Sequence, residues 1–192
     1  MAKTRPIEPV IRFCAIIAAD DAVRQWAMER IVSQWGTVVE TSPPLPFAAG
    51  GYYDDEMGAG LTKVMVAIDP PIDPQGLADW KLQTNVWERE AMDLFPGETV
   101  RPLNLDPGYI TQAKLVLATV KDRDHRVYLH TGIFGEITLS YIGGQWVWHR
   151  WTYPDYRTDD VYAFATDCRN RLRAFLKASG AFRTGKKNSF ID

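Results

Sequence analysis

Between Arg101 and Glu136 the chain reads RPLNLDPGYITQAKLVLATVKDRDHRVYLHTGIFGE. Asn104, Asp106, Tyr109, Lys114, Lys121, Asp122, His125 and Arg126 are set among its apolar runs. The apolar residues tie the segment to a core, and a purely structural segment seldom carries so many different polar groups. Lys114, Lys121, His125 and Arg126 are the types that hold phosphate or carboxylate. Asp106 and Asp122 are of the type that orients a substrate or takes a proton. Histidine has the side-chain pKa nearest neutrality, so His125 is the natural proton carrier, with Asp106 as the second catalytic candidate. A solvated turn accounts equally well for KDRDHR at 121–126, because its residues carry charges of both signs.

The centre of the stretch is Asp106-Pro107-Gly108. Proline presets φ for the second position of a turn, and glycine accepts the positive φ of a type II turn next. The expectation is a strand ending at Leu105 that reverses sharply. Asn104 and Asp106 lie two apart, so in a strand their side chains share a face and converge. The plainer reading of Asp106 is that it bonds its own backbone and closes the turn.

Two further stretches add candidates. Gly50 to Gly60, GGYYDDEMGAG, reads as a loop with Tyr52 and Tyr53 as platforms and Asp54, Asp55 and Glu56 as ligand contacts. A solvated acidic turn is the competing reading. Trp151 to Arg157, WTYPDYR, is an aromatic, charged connector that offers Tyr153, Asp155 and Arg157 to a ligand. Two function classes follow. One is a protein that binds, or acts on, a small anionic ligand such as a phosphate ester or nucleotide. The other is a non-catalytic interaction module with an aromatic patch of Tyr52, Tyr53, Trp151, Tyr153 and Tyr156, since interface hot spots favour such residues.

Several chemistries lack their signatures. The three histidines, His125, His130 and His149, have no zinc-type spacing, so no metal site is expected. GxxxxGK[ST], GxGxxG and GxSxG are all absent from the sequence. Cys14 and Cys168 fall in apolar patterns and read as reduced core thiols. No motif identifies a cofactor.

The elements that must position these groups follow from hydropathy. Val10 to Ala19 is a strand buried on both faces. Asp20-Asp21 caps a helix with apolar residues at Val23, Trp26, Ala27, Ile31 and Trp35, ended by Gly36. Thr37 to Thr41 and Leu61 to Ile68 are strands. Asp73-Pro74 starts a helix carrying Leu77, Trp80, Thr84, Trp87 and Ala91. Thr99 to Leu105 is the fourth strand, and Thr111 caps a short helix to Ala118. Arg126 to His130 and Glu136 to Tyr141 are strands, and Gly143-Gly144 turns the latter into Gln145 to His149. Thr158 caps a last helix ended by Gly180.

This order predicts α+β, with a ferredoxin-like βαββαβ split sheet followed by a short helix, a C-terminal β-meander or hairpin and a long terminal helix. Residues 1–9 read as a loose lead, 10–180 as a single domain and 181–192 as a mobile polar tail. The 192 residues suffice for one sizeable core, and 46% hydrophobic with 24% charged residues is ordinary globular composition. A net charge of −2 and pI near 5.9 give no field that draws the chain to nucleic acid or an anionic membrane. Phe13 to Ala19 is too short to span a bilayer, so the expected setting is cytoplasmic.

NLDPGY at 104–109, KLVLAT at 114–119, HRVYL at 125–129 and WTYPDYR at 151–157 resemble a bacterial family known as domain of unknown function 4416, as does YYDDEMG at 52–58. The resemblance runs from about Ile11 to the last helix. It implies one intact domain of bacterial type and assigns no catalytic residue.

Overall fold

The computed structural model describes residues 6–47, 54–97 and 99–181. Its centre is β1, Val10–Ala18, buried at every position. Alternate side chains of a strand point to opposite faces. Val10, Cys14, Ile16 and Ala18 pack on one side with helices α1, Asp21–Trp35, and α3, Leu77–Leu94. Ile11, Phe13 and Ala15 pack on the other with α4, Asp159–Ala178. The strand is apolar at every position but Arg12 because helices cover both faces. The protein is thus α+β, with an antiparallel sheet between helical layers.

The helix signals act as read from the sequence. The Asp20 carboxylate accepts from Ala22 N–H, and the Thr158 hydroxyl from Val161 N–H. Leu77, Trp80, Thr84, Trp87 and Ala91 all face the core. A helix of one turn, α2 at Asp54–Met57, lies inside the segment expected to be all loop. Tyr52 and Tyr53 fall outside the described residues.

The remaining strands are β2 at Thr37–Thr41, β3 at Leu45–Pro46, β4 at Thr62–Ile72, β5 at Asn104–Ile110, β6 at Lys114–Thr119, β7 at Val127–His130, β8 at Ile133–Ile142 and β9 at Gln145–Trp148. Among the described residues they form one nine-stranded sheet in the order β2-β4-β1-β5-β6-β8-β7, with β3 on β4 and β9 on β8.

Three sequence expectations are corrected. Asp106-Pro107-Gly108 is no turn; it lies inside β5, paired to Ala15, Cys14 and Phe13 of β1. Gly108 is required by space rather than by φ. A Cβ there would come within 2.3 Å of the Val116 carbonyl oxygen and 2.7 Å of the Phe13 ring. Thr99 to Leu103 lies outside any strand, since β5 begins at Asn104. Thr111 to Ala118 is no helix: Lys114–Thr119 is a strand between β5 and β8. The Thr111 hydroxyl accepts from Ala113 and Lys114 N–H and closes the β5–β6 hairpin. A cap and a hairpin turn use the same hydroxyl chemistry, and six apolar-rich residues carry no decisive periodicity.

The β5–β6 ladder is incomplete, and that gap makes the site. Pairing covers Gly108–Leu117 to Ile110–Leu115 and stops there. At Leu105, N–H donates to Glu88 Oε1 at 2.8 Å, and C=O accepts from Lys81 Nζ at 2.7 Å. A residue's amide and carbonyl lie on one strand edge, so both face away from β1, and Pro107 two residues on faces the same way. The N–H that proline lacks would have pointed into this gap. Long side chains from α3 replace the missing strand partner.

Candidate functional site

A cavity of about 520 Å³ opens where β5 and β6 part. That volume is ordinary for a small-molecule site. Asn104 and Asp106 come from β5, Leu117 to Thr119 from β6, and Glu136 from β8. Lys81, Asn85 and Glu88 come from α3, and Arg101 from the segment before β5. Lys121, Arg123 and Arg126 come from the loop after β6, and Tyr153 to Tyr156 from the connector before α4.

Two ion networks hold the walls. In the first, Glu88 binds Lys81 at 3.3 Å and Arg101 at 3.2 Å, and Arg101 also donates to Asn104. Asn104 Nδ2 donates to Asp106 Oδ2 at 3.0 Å. In the second, Glu136, 3% exposed, accepts from Arg126 Nε at 2.7 Å and Thr138 Oγ1 at 3.2 Å. His125 Nε2 lies 3.3 Å from the same carboxylate. Burial by itself lowers the Arg126 pKa, but the hydrogen bond and charge of Glu136, with Tyr153, outweigh it and raise the pKa overall. Nearby, Lys63 Nζ donates to Asp155 Oδ2 at 2.7 Å and sits 3.8 Å from the Tyr156 ring centre. Desolvation lowers the Lys63 pKa against the opposing pull of Asp155. Burial raises that of Tyr156, whose hydroxyl has no hydrogen-bond partner among the described residues.

The structure brings together Asn104, Asp106, Lys121, Arg126, Tyr153 and Asp155 of the sequence-selected residues. Glu56 is linked to them at one remove, through Arg101 at 3.5 Å. His125 does not line the cavity: it contacts Glu136 and stacks on Trp151, ring centres 5.0 Å apart. Asp122 is exposed outside it. Tyr109 packs into the α1–α3 side of the core, where burial raises its pKa. Lys114 begins β6, five residues and about 17 Å of strand from Thr119. The loss of the predicted turn explains both displacements, since an extended β5 carries Tyr109 and Lys114 to its far end. Arg157 turns to the Thr152 carbonyl and the face of Trp148.

The proposed aromatic patch is not one exposed face. Tyr156 is 3% exposed, whereas Tyr153 is 49% exposed. Trp151 is partly buried, with His149 also stacked on it.

Sequence reasoning missed Lys81, Glu88, Arg101, Arg123, Glu136 and Lys63. A signal existed for two of them. Lys81 and Glu88 are seven apart, beside Trp80 and Trp87 on the apolar stripe of α3, where charged residues need a buried partner. Among the described residues, no group of three or more His, Cys, Asp or Glu side chains is placed to hold a metal ion. A second concavity of about 650 Å³ lies between the β8–β9 hairpin and α4. Asp159 and Asp167 line it, and no basic side chain does among the described residues.

Fold and site together define an α+β protein with a charged cavity at an unpaired stretch between two central strands. The model of the family described as a domain of unknown function (DUF4416) matches residues 8–172, and the chain belongs to that family. No curated protein and no solved structure matches it. No helix among the described residues is long and apolar enough to cross a membrane.

Proposed function

We propose that this protein binds a small anionic ligand, a phosphate ester or nucleotide, in the β5–β6 cavity. The observation that carries the reading is the lining, where Lys81, Arg101, Lys121, Arg123 and Arg126 converge on one concave space. Arg126 is already oriented by Glu136, and Arg101 by Glu88. Such prior fixing lowers the ordering cost of binding. Tyr153, half exposed at the rim, supplies a flat apolar surface. If the protein is an enzyme, Asp106 is the carboxylate best placed to take a proton, and His125 acts only through Glu136.

A thermal-shift screen against phosphorylated metabolites and nucleotides tests the reading. A ligand at a hundred times its Kd adds about 2.7 kcal/mol, or several degrees in a domain of this size. The exposed Arg123 can be replaced by Ala without disturbing the core, and that variant should lose the shift. No shift with any phosphate compound refutes the proposal.

Two finer readings belong with it. The part β1-α1-β2-β4-α3-β5 is read as a ferredoxin-like split βαβ unit. Its order β2-β4-β1-β5, antiparallel at each neighbour, supports this. A cytoplasmic setting is supported by Cys14 and Cys168, unpaired and buried on opposite faces of the sheet.

A further inference from the structure

We propose that the ligand is a phosphate monoester bearing neighbouring hydroxyl groups, that is, a sugar phosphate or the ribose phosphate part of a nucleotide. This rests on the anion-binding reading above and goes further by assigning the other end of the molecule.

Four carboxylates line the cavity: Glu88, Asp106, Glu136 and Asp155. Both oxygens of Glu88 are engaged, Oε1 by Leu105 N–H and Lys81, Oε2 by Arg101. Both oxygens of Glu136 are engaged, Oε2 by Arg126 and His125, Oε1 by Thr138. Asp106 and Asp155 differ. Asp106 Oδ2 accepts from Asn104, but among the described residues Oδ1 has only Lys81 at 3.8 Å, beyond hydrogen-bond length. Asp155 Oδ2 accepts from Lys63, while Oδ1 has no hydrogen bond among the described residues. The two free oxygens belong to side chains 31% and 15% exposed, so a molecule in the cavity can reach them. Both carboxylates act on the Lys63 ammonium and the Tyr156 hydroxyl, which places them in one neighbourhood.

Ionised carboxylates only accept hydrogen bonds, so two free carboxylate oxygens call for a ligand with two donors. They also repel a phosphate from that part of the cavity. On the loop after β6, which also lines the cavity, the exposed Arg123 guanidinium has no hydrogen bond or ion pair among the described residues, and Lys121 lies on the same loop. The ligand is therefore held in one sense, with phosphate at the Lys121–Arg123 loop and hydroxyls at Asp106 and Asp155. Buried polar groups built to meet a substrate hydroxyl discriminate strongly against analogues that lack it.

Titration calorimetry of the full chain with ribose 5-phosphate, ribose, ethyl phosphate and inorganic phosphate tests the assignment. Ribose 5-phosphate should bind at least about tenfold tighter than ethyl phosphate, the loss expected for roughly one unmade hydrogen bond to a charged group. Asp106→Ala should weaken ribose 5-phosphate and leave ethyl phosphate unchanged or tighter, because a repelling charge is gone. Arg123→Ala should weaken both esters. If the wild-type protein binds ethyl or inorganic phosphate as tightly as ribose 5-phosphate, the hydroxyl assignment is overturned while the anion-binding reading stands. If ribose binds as tightly as its phosphate, or nothing binds, the anion-binding reading falls as well. The wild-type comparison decides the matter even if Asp106→Ala does not fold.

Discussion

Glu136→Gln separates a structural ion pair from a solvated one at the wall of the cavity. The Glu136 side chain is 2% exposed and that of Arg126 is 4% exposed, at 2.7 Å. The substitution keeps the shape; its one oxygen can accept from Arg126 Nε while its NH2 donates to the Thr138 hydroxyl, but the Arg126 charge loses its counter-ion. Removing one member of a buried pair costs about 3–5 kcal/mol, and the retained amide oxygen puts this variant near the lower end. With a urea m-value of about 3 kcal/mol/M, a loss of about 3 kcal/mol moves the unfolding midpoint down by roughly 1 M. Replacing both residues by apolar ones, Glu136→Leu with Arg126→Met, should recover most of that loss, because no lone charge is then buried. The measurement is urea unfolding followed by tryptophan fluorescence, with m required to stay constant. A midpoint for Glu136→Gln within about 0.3 M of wild type would falsify the reasoning, since that is the size expected of an exposed pair. A double variant less stable than the single one would do the same.

Other consequences are open to similar tests. Gly108→Ala places a Cβ 2.3 Å from the Val116 carbonyl oxygen, a backbone atom that cannot rotate away. It should cost about 3 kcal/mol or more, visible as a lowered melting temperature, and a neutral result would mean the β5–β6 contact is looser than described. Asp124 bonds Arg150 at 2.5 Å, and that hydrogen bond, followed by the one from His125, lowers its pKa from 3.8 to about 2. A depressed acid contributes stability that is complete above the unfolded value of 3.8 and lost as pH falls through about 2. NMR titration should find the Asp124 carboxyl near 2 and moved back toward 3.8 in Arg150→Ala; equal midpoints would remove the pairing. Thr158→Ala removes the cap of α4 and should cost about 1 kcal/mol in chemical unfolding, and no change would show the cap to be replaced by water.

The sequence by itself determined the elements whose information is local. β1 was legible because nine apolar-rich residues in a row leave no polar face. Helices α1, α3 and α4 were legible from caps and from spacings of three and four, and the β8–β9 hairpin from Gly143-Gly144. It also marked Asn104, Asp106, Lys121, Arg126, Tyr153 and Asp155, because polar residues inside or between apolar runs stand out one by one. Only the tertiary structure decided how the same residues are used. Pro107-Gly108 is a turn signal in isolation, yet β1 on one side and the Val116 carbonyl on the other hold it extended. Lys114–Thr119 became a strand because β5 and β8 offered it backbone partners on both edges, a choice no window of six residues contains. The cavity was out of reach for the same reason. It exists because one strand pair stops early and Lys81 and Glu88, some twenty residues upstream, meet the unpaired backbone of Leu105. Hydrogen-bond satisfaction is a condition on groups that meet in space, and sequence separation carries no record of it.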